Sequence, residues 1–439
     1  MRVYIMVLLV ALATTMIATP IIRRFALSMN VVTPLRARDV HEHPIPRLGG
    51  IAITGGIVMA MVFGNSVPFL HPIYEQSSVL WAVVAGAMAI TVLGLIDDIW
   101  ELDWLAKLAG QVLITGGMAM GGVQLINIPV FGVTIGSARL SIVLSVFVLV
   151  AIINAVNFVD GLDGLAAGVI AIGSMGFFAY SYLLTRLMGA TSYATAAAVV
   201  TVALAGASLG FLWYNYHPAS IFMGDSGSMV LGLMLGSATI IVTGQVNPAI
   251  LSEQSAITPW VPLLLPAAVL LIPLTDLVVT PFLRMLRGQS PVSADRSHLH
   301  HRLLGQGHSH RGVVLIMYSW TALACLVAVT LIVLPPESVW KWALPISLVV
   351  VAFTVSQFPT RWRRAAASQR PKRFVKDDGQ EVISRPPLER GWFPVNSLAL
   401  PTIVTDEGEP DVKVAEGAPP AFRPPSDVSR IRPLPEEIE

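Results

Sequence analysis

Residues 139–165 read RLSIVLSVFVLVAIINAVNFVDGLDGL, an apolar stretch that ends abruptly in amides, carboxylates and glycines. A bilayer core of about 30 Å needs roughly 20 apolar residues in a helix, and residues 139–157 come close to that length. The stretch therefore predicts a transmembrane helix whose end carries polar side chains. Asn154, Asn157 and Asp160 are spaced by three, which places them along one face if the helix continues.

The whole chain has the composition of a membrane protein. It has 439 residues, of which 54% are hydrophobic and 13% charged, and a mean hydropathy of +0.69. Soluble domains carry roughly 25% charged residues. The formal net charge of +1 argues against a nucleic-acid partner. The one cysteine, Cys325, excludes an internal disulfide. The apolar stretch 3–22 is followed by Arg23 and Arg24, with no small-residue cleavage site before them, so it is interpreted as a retained span.

About eleven apolar stretches are expected to form transmembrane helices. They lie near residues 3–22, 48–63, 79–96, 105–121, 139–157, 164–184, 191–213, 227–243, 261–281, 312–334 and 339–357. Arginines crowd the connections after the first and ninth stretches and the start of the tail, whereas residues 64–78 and 244–258 contain no Lys or Arg. Because Lys and Arg mark cytoplasmic loops, the N-terminus is predicted to lie outside and the C-terminus inside.

The composition changes abruptly near residue 358. Residues 1–357 are predicted to form a polytopic transmembrane domain. Residues 358–439 are rich in proline and charge and poor in aromatics, which predicts a disordered cytoplasmic tail. The basic start of this tail is expected to contact anionic headgroups among the membrane lipids.

Acidic and imidazole groups gather in the connections assigned to the cytoplasm. They are Asp97-Asp98, the run from Asn154 to Asp163, Asp225, and the loop Asp295-Arg-Ser-His-Leu-His-His-Arg302. The orientation rested on basic residues alone, so the two patterns are independent. Their agreement predicts one shared site.

Each carboxylate has a structural alternative. Asp97 and Asp98 would suit a solvated helix end, Asp163 a helix cap, and Asp225 the N-cap of the next helix. However, unpaired carboxylates near the headgroup level are costly. That depth favours a role with a cation, or with a proton on a phosphate. Asp225 stands at a glycine-flanked bend and is a candidate Mg²⁺ ligand, since Mg²⁺ takes one or two carboxylates plus phosphate oxygens. Phe222 nearby is a candidate to stack on a base.

The histidine loop is interpreted as an anion-binding segment. His298, His300 and His301 have no cysteine partners, and their spacing is not that of a usual structural zinc site. With Arg296 and Arg302 they are predicted to bind a pyrophosphate. Mg²⁺-binding carboxylates beside a cationic loop indicate phosphoryl transfer. ATP is not the expected donor, since the sequence has no Walker A pattern.

The four motifs, in their order along the chain, resemble those of the polyprenyl-phosphate N-acetylhexosamine-1-phosphate transferases. The resemblance covers roughly residues 1–357. The resemblance implies ten or eleven transmembrane helices around a cytoplasm-facing cleft in the plasma (inner) membrane. It also implies Mg²⁺ or Mn²⁺ as cofactor, release of UMP, and a homodimer.

The resemblance also assigns roles to residues. It implies that Asp225 binds the metal, that Asp97 or Asp98 deprotonates the lipid phosphate, and that His298 is essential. Lys107 matches a basic position that holds phosphate, and Arg47 lies in the matching loop that enters the second span. The predicted substrate-binding residues are Arg47, Lys107, Asn154, Asn157, Asp160, Asp163, Phe222, Arg296, His300, His301 and Arg302.

The spacing of the histidines resembles that of one branch of this superfamily. The peptidoglycan translocase has three consecutive histidines, whereas this chain has His298-Leu-His-His301 after Asp295-Arg296. That pattern resembles the enzymes that transfer GlcNAc-1-phosphate from UDP-GlcNAc to polyprenyl phosphate, the first membrane step of a cell-envelope polysaccharide. The alternative donor is UDP-MurNAc-pentapeptide, and a membrane transporter is a remote alternative. Direct attack and a two-step route through an aspartyl phosphate both stay open.

Overall fold

The computed structural model describes residues 1–29, 45–128, 133–134, 137–188, 193–245, 309–356, 372–375 and 381–384. Eleven helices lie within these ranges: α1 (Arg2–Ser28), α2 (Gly49–Asn65), α3 (His71–Gln76), α4 (Val79–Trp100), α5 (Trp104–Met120), α6 (Ala138–Val159), α7 (Leu165–Met188), α8 (Tyr193–Asn215), α9 (Gly224–Gln245), α10 (His310–Val333) and α11 (Pro336–Ser356). Four short strands form two antiparallel pairs: β1 (Asn127–Ile128) with β2 (Val133–Thr134), and β3 (Lys372–Val375) with β4 (Glu381–Ser384).

The protein is an all-α integral membrane protein, as its apolar stretches predict. Eight of the described helices are long and apolar enough to cross a membrane: α1, α4 and α6 to α11. Helices α2 and α5 are shorter, with 17 residues each. Ten of the eleven predicted spans coincide with described helices, and the span at 261–281 lies outside the described residues. The short helix α3 was not predicted. The inside and outside assignment stays a prediction.

Helices α8 and α9 form the centre of the bundle. The apolar window of α8 is 89% buried and that of α9 is 94% buried, against 11% for α11. Helix α9 packs on α2, α4, α6 and α8. Small residues permit this close approach, as expected for helix packing in membranes. A Cβ added at Gly232 of α9 would lie 2.7 Å from the Cα of Ile153 in α6. The position of α9 is therefore fixed by its neighbours.

The helix ends that carry the polar motifs meet at one place. Helix α4 runs into α5 through a tight reversal at Glu101, whose φ of 48° is left-handed. The side chain of Asp103 caps α5 by accepting a hydrogen bond from the Leu105 N–H (3.1 Å). Helix α5 packs on α4 and α6, and α9 packs on the same two helices. The ends of α4 and α6 therefore lie beside the beginnings of α5 and α9.

The chain divides into two compact units, Met1–Ser368 and Gln369–Glu439. The second unit contains the β3–β4 pairing, in which Lys372 faces Ser384 and Val375 faces Glu381. The sequence did not predict this pairing. The rest of the Pro-rich tail lies outside the described residues, and its predicted disorder stays a prediction.

Candidate active site

A lysine held between two carboxylates lies at the centre of the site. Lys107 Nζ is 2.7 Å from Asp97 Oδ2 and 2.9 Å from Asp225 Oδ2. The three residues come from the end of α4 and the beginnings of α5 and α9. Asp97 is buried, with 7% of its surface exposed, and its second oxygen accepts a hydrogen bond from the Leu102 N–H (2.9 Å). Asp97 thus joins the α4–α5 turn to the metal-ligand candidate Asp225.

The two asparagines of α6 extend this network on opposite sides. Asn157 Nδ2 donates to Asp225 Oδ1 and to Ser228 Oγ, the latter at 2.7 Å. Asn154 Nδ2 donates to the Gln111 side chain of α5 at 2.7 Å. Asn154 therefore contacts α5 whereas Asn157 contacts α9, and the predicted common face for Asn154, Asn157 and Asp160 stays a prediction.

Asp98 lies against the backbone of α9. Its Oδ1 accepts a hydrogen bond from the Asp225 N–H (2.8 Å), and its Oδ2 accepts one from the Ser226 N–H (3.1 Å). An N-cap role had been the structural alternative for Asp225. In the structure Asp98 binds these amides at the beginning of α9, and the Asp225 side chain turns instead to Lys107 and Asn157.

The loop that enters α2 packs along the beginning of α9. The Phe222 N–H donates to Pro46 O (2.8 Å), the Gly49 N–H to Phe222 O (3.0 Å), and the Gly50 N–H to Met223 O (2.9 Å). Phe222 and Arg47, both predicted to bind substrate, are therefore brought to the same edge of the site. Both side chains are partly buried.

Asp160 follows the last residue of α6 and caps that helix. Burial raises the pKa of Asp160 to about 8, and the negative charges of Asp225 and Asp98 act in the same direction. The Arg47 guanidinium opposes them. Asp160 therefore belongs to the same electrostatic cluster as Asp225.

Asp163 makes its contacts elsewhere. Its Oδ2 accepts hydrogen bonds from His217 Nδ1 (2.8 Å) and from the Ala219 N–H (3.1 Å). Between Asp160 and Asp163 the chain turns, and Gly164 has a left-handed φ of 76°. The Asn215 side chain accepts a hydrogen bond from the Gly164 N–H (3.0 Å). Asp163 is thus tied to the connection between α8 and α9.

Asp163, His217 and His310 place potential metal-ligand atoms within 4.8 Å of one another. The two imidazole rings are stacked, with centroids 4.4 Å apart and planes 19° apart. Ring nitrogens donate their lone pairs in the ring plane, so two stacked imidazoles do not converge on one ion. The group is better explained as an aromatic contact between α10 and the α8–α9 connection.

The central cluster fits a divalent cation. Four carboxyl groups gather here, those of Asp97, Asp98, Asp160 and Asp225. Lys107 bridges Asp97 and Asp225, and the charge of Arg47 acts on Asp160. The donors are oxygen atoms, the ligand type that Mg²⁺ prefers. Asp97 and Asp225 already share one positive charge, the Lys107 ammonium. The excess of carboxylates, together with these donors, is what a Mg²⁺ or Mn²⁺ site requires.

Some predicted residues lie outside the described residues, and some observed ones were not predicted. The former are Arg296, His298, His300, His301 and Arg302. The latter are Gln111, Asn215, His217 and Ser228. Gln111 was detectable as a polar side chain inside an apolar stretch. The contacts of His217 depend on the path of the α8–α9 connection, which carries no sequence signal.

Comparisons with known proteins give the family of this chain. Residues 80–243 match the model of glycosyl transferase family 4, a segment that contains Asp97, Lys107, Asn157 and Asp225. The chain is 40% identical to a decaprenyl-phosphate N-acetylglucosaminephosphotransferase of Mycolicibacterium smegmatis over 371 residues, which cover 83% of this chain and 90% of that protein. It is 32% identical to a probable undecaprenyl-phosphate N-acetylglucosaminyl 1-phosphate transferase of Bacillus subtilis, covering 76% of this chain and 85% of that protein.

A third relative is more distant. The phospho-N-acetylmuramoyl-pentapeptide-transferase of Chlorobaculum parvum is 30% identical over 261 residues, which cover 53% of this chain and 68% of that protein. The family model, the extent of the first two matches and the motif residues gathered in one cluster all lead to the same assignment. The chain belongs to glycosyl transferase family 4.

Proposed function

We propose that this protein transfers GlcNAc-1-phosphate from UDP-GlcNAc to a polyprenyl phosphate, giving polyprenyl-pyrophosphoryl-GlcNAc and UMP. One observation carries the proposal: the Asp97–Lys107–Asp225 bridge lies within the segment that matches the family model, in a chain 40% identical to a transferase named for this acceptor and sugar. The reaction begins a cell-envelope polysaccharide. The basic loops support a site on the cytoplasmic face of the plasma membrane.

The proposed reaction is a direct displacement. Asp97 accepts the proton of the lipid phosphate, and the freed phosphate oxygen attacks the phosphorus that bears the sugar. The bond between that phosphorus and the UMP oxygen breaks, and UMP leaves. Asp97 suits this role because its Oδ2 lies 2.7 Å from the Lys107 ammonium, the group expected to bind phosphate.

The neighbouring residues have supporting roles. Asp225, in the cluster that also includes Asp160, would hold Mg²⁺ or Mn²⁺, which when bound supplies positive charge against the pyrophosphate oxygens. Lys107 turns its ammonium towards those oxygens when substrate enters. Asn157 keeps the Asp225 carboxylate oriented through their hydrogen bond.

A donor comparison tests the function. Detergent-purified protein is given polyprenyl phosphate, Mg²⁺ and either UDP-GlcNAc or UDP-MurNAc-pentapeptide, and UMP release is measured. We expect turnover with UDP-GlcNAc only. Turnover with the pentapeptide donor only would move the protein to the peptidoglycan branch, and turnover with neither would contradict the proposed substrates.

A trapping experiment tests the direct mechanism. The protein is incubated with UDP-GlcNAc and Mg²⁺ without lipid acceptor, and its intact mass is measured. We expect no added phosphoryl-sugar mass. A covalent adduct on an aspartate would favour the two-step route instead.

A further inference from the structure

The two adjacent aspartates at the end of α4 make different kinds of contact. Asp97 contacts a side-chain ammonium, whereas both oxygens of Asp98 accept hydrogen bonds from backbone amides of α9. We propose that Asp98 is a positioning residue: it fixes the first turn of α9 and so sets the Asp225 carboxylate for cation binding. The inference rests on the proposed function and deepens it, since it assigns the second aspartate of the pair.

The contact suits this role physically. The first N–H groups of a helix have no partner within the helix, and the positive end of the helix dipole favours a carboxylate. Asp98 supplies that carboxylate from α4 at 2.8 and 3.1 Å. One of the two amides belongs to Asp225 itself. Any shift of Asp98 therefore moves the backbone that carries the candidate metal ligand.

Glycines of α2 and α4 allow the first turn of α9 to pack closely against both helices. A Cβ added at Gly94 of α4 would clash with the Cα of Ser226, and one added at Gly50 of α2 would clash with the Gly227 nitrogen. Gly224, in a left-handed conformation with φ 69°, lets the chain enter α9 beside Asp98. The turn is thus packed without space on α2 and α4, and Asp98 is its polar anchor.

The same contacts argue against Asp98 as the proton acceptor. A proton placed on either oxygen would weaken a hydrogen bond that holds α9. The charge-assisted bonds it would weaken are among the stronger ones in proteins. Asp97 reaches α9 through the side chains of Lys107 and Asp225 rather than through backbone amides, so proton transfer there leaves the backbone hydrogen bonds of the first turn of α9 in place.

The experiment measures cation binding without substrate. Mn²⁺ binding to purified full-length protein is followed by electron paramagnetic resonance in wild type, Asp98→Asn and Gly94→Ala. Asparagine keeps one acceptor oxygen but turns an NH₂ group towards the second amide. Gly94→Ala moves the same turn and removes no charge. It therefore separates the effect of the position of Asp225 from the effect of the Asp98 charge. Gly55→Ala is the matched control, because a Cβ there meets nothing within 4 Å.

We expect Mn²⁺ binding to weaken about 10-fold or more in both variants, as for other groups that orient a metal ligand. Gly55→Ala should bind as wild type does. In UMP release, higher Mg²⁺ should restore much of the kcat of both variants. If Asp98→Asn does not fold, Gly94→Ala decides the outcome.

Two results would overturn the proposal. In the first, the Asp98→Asn variant folds and binds Mn²⁺ as tightly as wild type does, but it releases no UMP at any Mg²⁺ concentration. That result would make Asp98 a catalytic residue. The other is Gly94→Ala with unchanged Mn²⁺ affinity. Failure of the proposed function would look different, since wild type would bind Mn²⁺ and the variants would bind it weakly while no protein released UMP.

Discussion

The run from Asn154 to Asp163 supplies two regions that differ in their partners. The first region is the central cluster, in which Asn157 contacts Asp225 and Lys107 bridges two carboxylates. The second is the Asp163–His217 pair, in which a carboxylate contacts an imidazole and a backbone amide. The central cluster has more carboxylates than cations, whereas the second region pairs its one carboxylate with an imidazole.

The difference shows how one short motif can serve two purposes. Helix α6 ends at Val159, and the turn that follows sends Asp163 towards the α8–α9 connection. The excess negative charge of the central cluster suits a cation and phosphates. The second region contains Asp163, which the family resemblance predicts to bind substrate. We therefore expect variants of the first region to have a lower kcat and variants of the second region to have a higher KM for the donor.

Asp225→Asn should have the largest effect. It removes the charge that Asn157 and Lys107 hold in place, so kcat for UMP release should fall about 10³-fold, the upper range for loss of one preorganised electrostatic group. The measurement is steady-state UMP release at saturating donor. Asp103→Asn makes the same chemical change at an exposed cap of α5 and should stay within about twofold of wild type. Equal losses in the two variants would contradict the assignment.

Lys107→Met should come next, with kcat lowered about 100-fold. It also leaves Asp97 and Asp225 without their shared cation, and breaking such a partly buried pair destabilises a protein by about 3 kcal/mol. Mg²⁺ should therefore raise the melting temperature of this variant more than that of wild type, as measured by thermal shift. Lys341→Met, on exposed α11, should behave as wild type does. A variant that Mg²⁺ does not stabilise would contradict the cation site.

Asp163→Asn should have a smaller effect of another kind. KM for UDP-GlcNAc should rise about 10-fold with kcat nearly unchanged, the signature of lost uniform binding. Mn²⁺ affinity should not change, because Asp163 contacts His217 rather than Asp225. Kinetics over a range of donor concentrations check the first point. A fall in kcat with constant KM would join Asp163 to the central cluster and remove the distinction between the regions.

The smallest expected effect is a pH dependence of stability in metal-free protein. Folded Asp160 holds its proton up to a pKa of about 8, whereas its ordinary value is 3.8. Between these values the unfolded state binds fewer protons, so the free energy of unfolding should fall as pH rises through this window. Melting temperatures in EDTA should decline less from pH 5 to pH 8 in Asp160→Asn than in wild type. If the melting temperatures of the two proteins changed equally with pH, Asp160 would lie outside the charged cluster.

The helices were predictable because their signal is long and local. The stretch 139–157 became α6, Ala138–Val159, since about 20 apolar residues in lipid have few alternatives to a helix. Helix α3 was missed because it has six residues and Pro72 at its start, too short a pattern to detect. The meeting of Asp97, Asn157 and Asp225 was also predictable, because their positions at helix ends on one side limit where they can lie.

The partners of each side chain were not predictable. Asp97 and Asp98 are neighbours in sequence with the same chemistry, yet one contacts Lys107 and the other the backbone of α9. That choice depends on how α4 is rotated against α9, and the close contact of Gly94 with the Ser226 backbone helps to set this rotation. Likewise, His217 has no motif of its own and reaches Asp163 only through the fold of the connection.

The most direct test is formation of the lipid product by purified protein. Radiolabelled UDP-GlcNAc, polyprenyl phosphate and Mg²⁺ are supplied to wild type and to Asp225→Asn, and polyprenyl-pyrophosphoryl-GlcNAc is extracted and counted with the released UMP. We expect equal amounts of lipid product and UMP from wild type and almost none from Asp225→Asn. Undiminished product from Asp225→Asn, or none from wild type, would contradict it.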